Sequence, residues 1–162
     1  MIAQTAAPAS ALRAHEELFA YWASRRQGRD LPGRRDIDPA GFKRHLPTIS
    51  LIDVRGDPPD FRIRLAGTGL YPVYGREITG MELEHIYPDA DARDWRARLS
   101  RVVSGRKPVA GVHSLAWRGA SRLSMVWLRL PLAADDGRVN MILGYDAVVG
   151  MADGAPSGVR AA

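Results

Sequence analysis

The residues best placed to do chemistry in this chain are aromatic, histidine and arginine side chains, because the usual reagents are missing. There is no cysteine among the 162 residues, which excludes disulfides, thiolate metal sites, iron–sulfur clusters and cysteine nucleophiles. The four histidines form neither His-x-His nor His-Glu-x-x-His: His15-Glu16-Glu17-Leu18 continues with Phe19 where a second ligand would stand. No Gly-x-Ser-x-Gly occurs. Asp135 and Asp136 precede Gly137 in a turn-forming stretch, and Glu82 and Glu84 flank Leu83. Nothing therefore sets two carboxyls to converge, as general acid–base catalysis requires. Gly67-Thr68-Gly69 opens like a phosphate-cradling turn, but Pro72 takes the place of the last fingerprint glycine. Those glycines read as a sharp exit from a strand. The expectation is a chain with no catalytic residue and no metal site.

What remains is an aromatic set with a few polar tips. Tyr71, Tyr74, Tyr87 and Trp95 fall on segments that read as helical, and His113, Trp127 and Tyr145 on strand-like runs. Apolar walls with sparse polar groups suit a small-molecule pocket, and they equally suit a filled aromatic core. Arg129 interrupts the apolar run Trp127 to Leu132. If it points inward it must meet an anion. Alternation does not settle which face the strand aromatics occupy.

The elements that must carry these residues can be read from period and punctuation. Residues 151–162 are small and polar and, with residues 1–9, are expected to be disordered. Residues 10–47 form a helical extension. Ser10 can cap a helix in which Leu12, His15, Leu18, Phe19 and Trp22 recur at helical spacing, and Gly28 with Leu31-Pro32 ends it. Asp38-Pro39 then offers an N-cap and a first-turn proline to a second short helix, which should stop before Pro47. From Thr48 the period changes. Thr48–Val54 and Phe61–Ala66 predict a hairpin across Gly56-Asp57-Pro58-Pro59-Asp60. Short helical pieces follow up to Pro88. Ala92, Trp95, Leu99 and Val102 share one face of a longer helix capped by Asp91, with Gly105 at its end. Val109–Trp117, Leu123–Leu132 and Val139–Val149 predict three more strands. The core, 48–150, is thus α+β: a five-stranded antiparallel sheet whose helices are inserted between strands two and three, preceded by an amphipathic helix.

Particular residues sharpen that order. Tyr21-Trp22-Ala23-Ser24-Arg25-Arg26, Gly28-Arg29-Asp30-Leu31-Pro32 and Asp36-Ile37-Asp38-Pro39 resemble the opening of a family of small stand-alone bacterial PAS proteins. Leu51-Ile52-Asp53-Val54, Phe61 to Thr68, Gly75 to Gly80, Pro131-Leu132 and Asp136 to Gly144 continue the resemblance in order, from about Glu17 to Val149. Val126 and Trp127 depart from it, standing where more polar residues are expected. The resemblance implies the PAS fold and a sensory or regulatory role without catalysis. It names neither ligand nor cofactor. A haem sensor of this kind usually takes its ligand from a histidine on the long helix; here that helix has none, and His85 just ahead of it is the sole substitute. Covalent flavin photochemistry needs a cysteine. Haem and covalent flavin are therefore disfavoured, and the cofactor is left unknown.

The remaining expectations concern partners. Net charge is +5, and all the basic residues but Lys43 and Lys107 are arginine, scattered along the chain. Scattered charge reads as a solvated surface, so nucleic-acid binding through Arg93, Arg96, Arg98, Arg101, Arg106 and Lys107 is the lesser reading. No apolar run is long enough to span a membrane, and no secretory signal opens the chain, so a cytoplasmic protein is expected. With no effector domain present, output would be made in trans to a protein partner. Leu12, Leu18, Phe19 and Trp22 predict either a cover for the sheet's outer face or a homodimer seam. An enzyme of the isomerase or dehydratase kind on a cone-shaped α+β fold is the alternative; it would need Asp53 buried against a Tyr or His.

Overall fold

The computed structural model of the chain describes residues 8–150 together with the backbone of 159–160. Helix α1 (Ala9–Ser24) leads into two 3-10 segments, Arg34–Asp36 and Pro39–Thr48. Strands β1 (Ile49–Arg55) and β2 (Asp60–Ala66) form the first hairpin. Three helices follow: α2 (Tyr71–Tyr74), α3 (Leu83–Ile86) and α4 (Asp89–Gly105). The chain closes with β3 (Val109–Leu115), β4 (Ala120–Ala133), β5 (Val139–Gly150) and a two-residue β6 (Val159–Arg160). All the α-helices of the core lie between β2 and β3, as the punctuation predicts; β3 stops at Leu115, short of the expected Trp117, because Ala116–Arg118 form a 3-10 turn that Gly119 ends in the left-handed conformation.

The sheet runs in the order β2-β1-β5-β4-β3-β6, and every pair is antiparallel. The sixth strand adds to the five expected: Val159 and Arg160 pair with Gly111 and Ala110. The other residues of the two tails expected to be disordered, 1–7, 151–158 and 161–162, lie outside the described residues.

Both faces of the central strands are covered. On the inner face Ile52, Met125, Trp127 and Ile142 pack against Leu70, Val73, Trp95, Leu99 and Val102 from the helical layer. On the outer face Leu51, Val126, Leu128, Leu130, Leu132 and Leu143 pack against α1. A strand covered on both sides needs apolar residues at every position, which is why residues 124–132 are buried without a break. Alternation could not reveal the facing of such a strand.

Helix α1 corrects the expected stripe. Its buried residues are Ala11, Ala14, Leu18 and Trp22, one face at helical spacing, and the indole N–H of Trp22 donates to Pro131 O at 2.9 Å. The two alanines let the helix lie close to the sheet, turning Leu12 and Phe19 outward to 46% and 44% exposure. Ser10 caps nothing; the helix starts from Pro8. Asp38 does cap as expected, accepting from the Ala40 N–H at 2.9 Å, but the turn it opens is 3-10 and runs through Pro47. Likewise α4 begins at Asp89 and not after Asp91, and the left-handed residue ending it is Arg106 (φ 52°), not Gly105.

Candidate functional site

The inner face of the sheet and the helical layer enclose a chamber of aromatic rings around one buried ion pair. Arg129 projects inward from β4, directly opposite Gly144 on β5. A side chain at 144 would collide with Ser50 Oγ and crowd the guanidinium, so the glycine leaves the path by which Arg129 reaches Asp146, the next inward residue of β5. Arg129 Nη2 donates to Asp146 Oδ1 at 2.8 Å, and Nη1 donates to the carbonyls of Leu128 and Tyr145 at 3.0 and 3.2 Å. The hydroxyl of Tyr74, at the end of α2, donates to Asp146 Oδ2 at 3.0 Å. The side chains of Arg129 and Asp146 are 3% and 0% exposed, so the two charges stand or fall together.

Burial alone would push the Arg129 proton off, but Asp146, with Tyr74 and Tyr87 behind it, outweighs that and keeps the guanidinium charged. Burial first, and the Asp146 charge second, hold the Tyr74 and Tyr87 phenols well above their usual range. Both are neutral donors across the physiological range.

Rings wall this pair. Tyr87 stacks on Trp95 (5.8 Å between centroids, planes 20° apart) and meets Trp117 edge-on at 4.8 Å. Trp95 meets Trp127 at 5.2 Å and His113 at 5.4 Å. The Arg129 guanidinium lies 5.2 Å from the Trp95 ring centre, and the Arg98 guanidinium lies 5.1 Å from it. Each is within cation–π range. Arg98 also bonds His113 Nδ1 at 3.0 Å, and burial followed by the Arg98 charge lowers the basicity of His113.

One property of the chamber is unusual for a packed core. The indole nitrogens of Trp95, Trp117 and Trp127, Arg129 Nε and His113 Nε2 are all buried with no hydrogen-bond partner. Most buried donors in proteins are matched. Here five in one aromatic cluster lack acceptors. His113 Nε2 has only Asp91 Oδ1 near it, at 3.5 Å, too far for a good bond.

Of the eight aromatic and polar residues singled out from the sequence, six meet here: Tyr74, Tyr87, Trp95, His113, Trp127 and Arg129. Two do not. Tyr71 points outward at 60% exposure. Tyr145 lies on the opposite face, edge-on to His15 (5.4 Å) and His45 (6.1 Å). Sequence reasoning missed Asp146, the anion that an inward Arg129 demands, and it missed Arg98. Asp146 could have been found: a β4–β5 turn centred on Asp136-Gly137 sets Arg129 opposite Gly144, and Asp146 is then its diagonal neighbour on the same face.

A PAS domain family model matches residues 11–146. The chain belongs to the PAS domain family. A solved PAS domain of a protein from Colwellia psychrerythraea is similar in fold, with a TM-score of 0.50 at 10% identity, covering 67% of this chain and 93% of that one. A fungal LOV domain photoreceptor (TM-score 0.45, 22% identity, 64% and 75% covered) and an RNA-binding light-oxygen-voltage receptor (0.46, 14%, 74% and 36%) are also similar. No curated protein matches. PAS domains are typically sensory and regulatory modules. The positions given weight by other readings of this PAS domain sit elsewhere. His85 is exposed on α3. Asp53 is taken by Arg64 Nε at 2.7 Å on the sheet's outer hairpin. Arg96 is held by Glu84 and Asp60, and Arg98 folds inward, which breaks up the basic face of α4. Among the described residues no helix is long and apolar enough to cross a membrane, and no cluster of three metal-ligating side chains occurs.

Proposed function

We propose that this PAS domain is a non-catalytic sensory or regulatory module whose chamber takes a small molecule rich in hydrogen-bond acceptors, such as a carboxylate or carbonyl compound. The observation that carries this reading is the set of five buried, unmatched donors around Arg129 and Trp95. A buried donor without a partner costs about 1–3 kcal/mol, and a bound acceptor would recover part of that for several groups at once. The rings are in contact, so admission requires the helical layer to move. The elements that would have to move are short: α2 and α3 have four residues each.

The enzyme alternative is disfavoured. That reading needs Asp53 buried against a Tyr or His, and Asp53 is instead paired with Arg64 at 2.7 Å. Output in trans calls for a surface, and Leu12 and Phe19, one stripe at i and i+7 on the solvent side of α1, supply it. We assign that stripe to a second copy of the chain, because a self-complementary helix face closes a two-fold dimer. A protein effector would then be met in a bacterial cytoplasm.

Native mass spectrometry of the freshly purified protein tests the reading. A co-purified small mass on the wild-type chain, absent from an Arg129→Met/Asp146→Leu variant, is expected. A bare wild-type mass, together with tryptophan fluorescence that does not respond to a panel of aromatic carboxylates, would overturn it.

A further inference from the structure

A second concavity lies far from the chamber, between the linker after α1 and the β4–β5 turn. It has a volume of about 780 Å³, and Arg29, Arg34, Arg35, Arg106, Asp135 and Asn140 are among its lining. The linker is pinned there, because the Ala133 N–H donates to Pro32 O at 2.9 Å. Its floor is therefore part of the folded sheet.

The arginines are not equivalent. Arg29 is neutralised by Asp36 at 2.7 Å, and Arg35 by Asp135 at 2.9 Å. Arg34 and Arg106 donate only to carbonyls, those of Ile37 (3.2 Å) and Gly137 (2.7 Å), and neither forms an ion pair among the described residues. A guanidinium has five donors, so each keeps several free for an anion. Asp30 also lines the cleft; set against Arg34 and Arg106, the two lining arginines outside the ion pairs, it leaves an excess of one positive charge.

Two further features mark the place. Among the described residues, the non-glycine residues in the left-handed region are Gln27 (φ 51°) and Arg106 (φ 52°). Arg106 lines the cleft and Gln27 precedes Gly28, which also lines it. Such backbone costs stability and concentrates where a side chain must be aimed. In the floor, Asn140 Oδ1 is buried without a partner. A ligand hydroxyl that reached this oxygen from the cleft would satisfy it.

We infer that this cleft binds a small hydroxyl-bearing anion, a phosphate ester or a hydroxycarboxylate, with Arg34 and Arg106 gripping the anionic group and Asn140 reading the hydroxyl. Fork-shaped guanidinium donors match both oxyanions. The site is independent of the aromatic chamber.

Calorimetric titration of the full chain with ribose 5-phosphate, citrate and neutral ribose tests this. Saturable binding of at least one anion, and none of ribose, is expected; the anion that binds identifies the source. Arg34→Gln/Arg106→Gln should weaken it by about tenfold or more, the factor one charge-assisted hydrogen bond carries. Arg122→Gln, on the far part of β4, should leave it unchanged. Amide chemical-shift mapping on the wild-type chain stands free of any folding defect: Gly33, Ala134 and Gly137 should move. Absence of saturation by both anions, equal affinity in the double variant, or shifts centred on Arg93 to Arg101 would overturn the assignment.

Discussion

Replacing Asp146 by Asn is the sharpest probe of the chamber. The change is isosteric, can keep one acceptor for the Tyr74 hydroxyl, and removes the charge facing Arg129 at 2.8 Å while turning the oxygen that Arg129 holds into an amide donor. Arg129 would then be a full positive charge, 3% exposed, with no anion. Removing one partner of a buried pair costs about 3–5 kcal/mol. For a chain of this size each kcal/mol moves the melting temperature by about 2–4 °C, so a fall of roughly 6–20 °C is expected. Replacing both partners, Arg129→Met with Asp146→Leu, should recover most of that loss, because no buried charge is left. Urea unfolding of the wild type, both singles and the double closes the cycle. Asp136→Asn, in an exposed turn, is the control and should stay within about 0.5 kcal/mol. If Asp146→Asn loses less than about 1 kcal/mol, on the scale where lost buried pairs cost several, the ion pair is not the keystone described above.

Gly144→Ala should destabilise by about 1–3 kcal/mol, because the added methyl meets Ser50 Oγ and the Arg129 guanidinium; chemical denaturation checks it, and an unchanged midpoint would show that the strand can yield. His15 is held at about 4, first by burial and then by the Arg129 charge, so the folded state refuses a proton that the unfolded chain accepts near 6.5. Stability should therefore decline as pH falls from about 6.5 to 4, by about 1–3 kcal/mol, and His15→Phe should flatten that slope in a denaturation series. Leu12→Ser/Phe19→Ser should convert the proposed dimer to a monomer in light scattering while leaving the circular dichroism of the folded chain unchanged, since both side chains are exposed on the single chain; an unaltered dimer mass would remove α1 from the interface.

The element order was readable because this chain punctuates it clearly. Asp38-Pro39, the Gly56 to Asp60 turn and the α4 face of Ala92, Trp95, Leu99 and Val102 each carry a local physical cause, and each stands where its chemistry puts it. The chamber was only partly readable. Helix α4 has one buried face, so Trp95 could be assigned from spacing. Strands β4 and β5 are buried on two, so Tyr145 and Trp127 look alike in sequence yet lie on opposite sides. The α1 stripe misled for a related reason: hydrophobicity favours Phe19 and Leu12 over Ala11 and Ala14, whereas close approach to a sheet rewards the small residues. Asp146 escaped because an acid in an apolar strand looks like an interruption until strand register supplies its partner.

The central sheet is a partition one strand thick, and β4 is its shared wall. Trp127 and Arg129 face the chamber while Leu128 and Leu130, between and beside them, bear on α1. Any small translation of that strand by an occupant on one side must be transmitted to the helix on the other, with no intervening loop to absorb it. Electrically the wall is equally thin, since the Arg129 charge already depresses His15 from across it. The titration midpoint of that imidazole, followed by NMR, would therefore serve as a built-in gauge of what the far compartment holds.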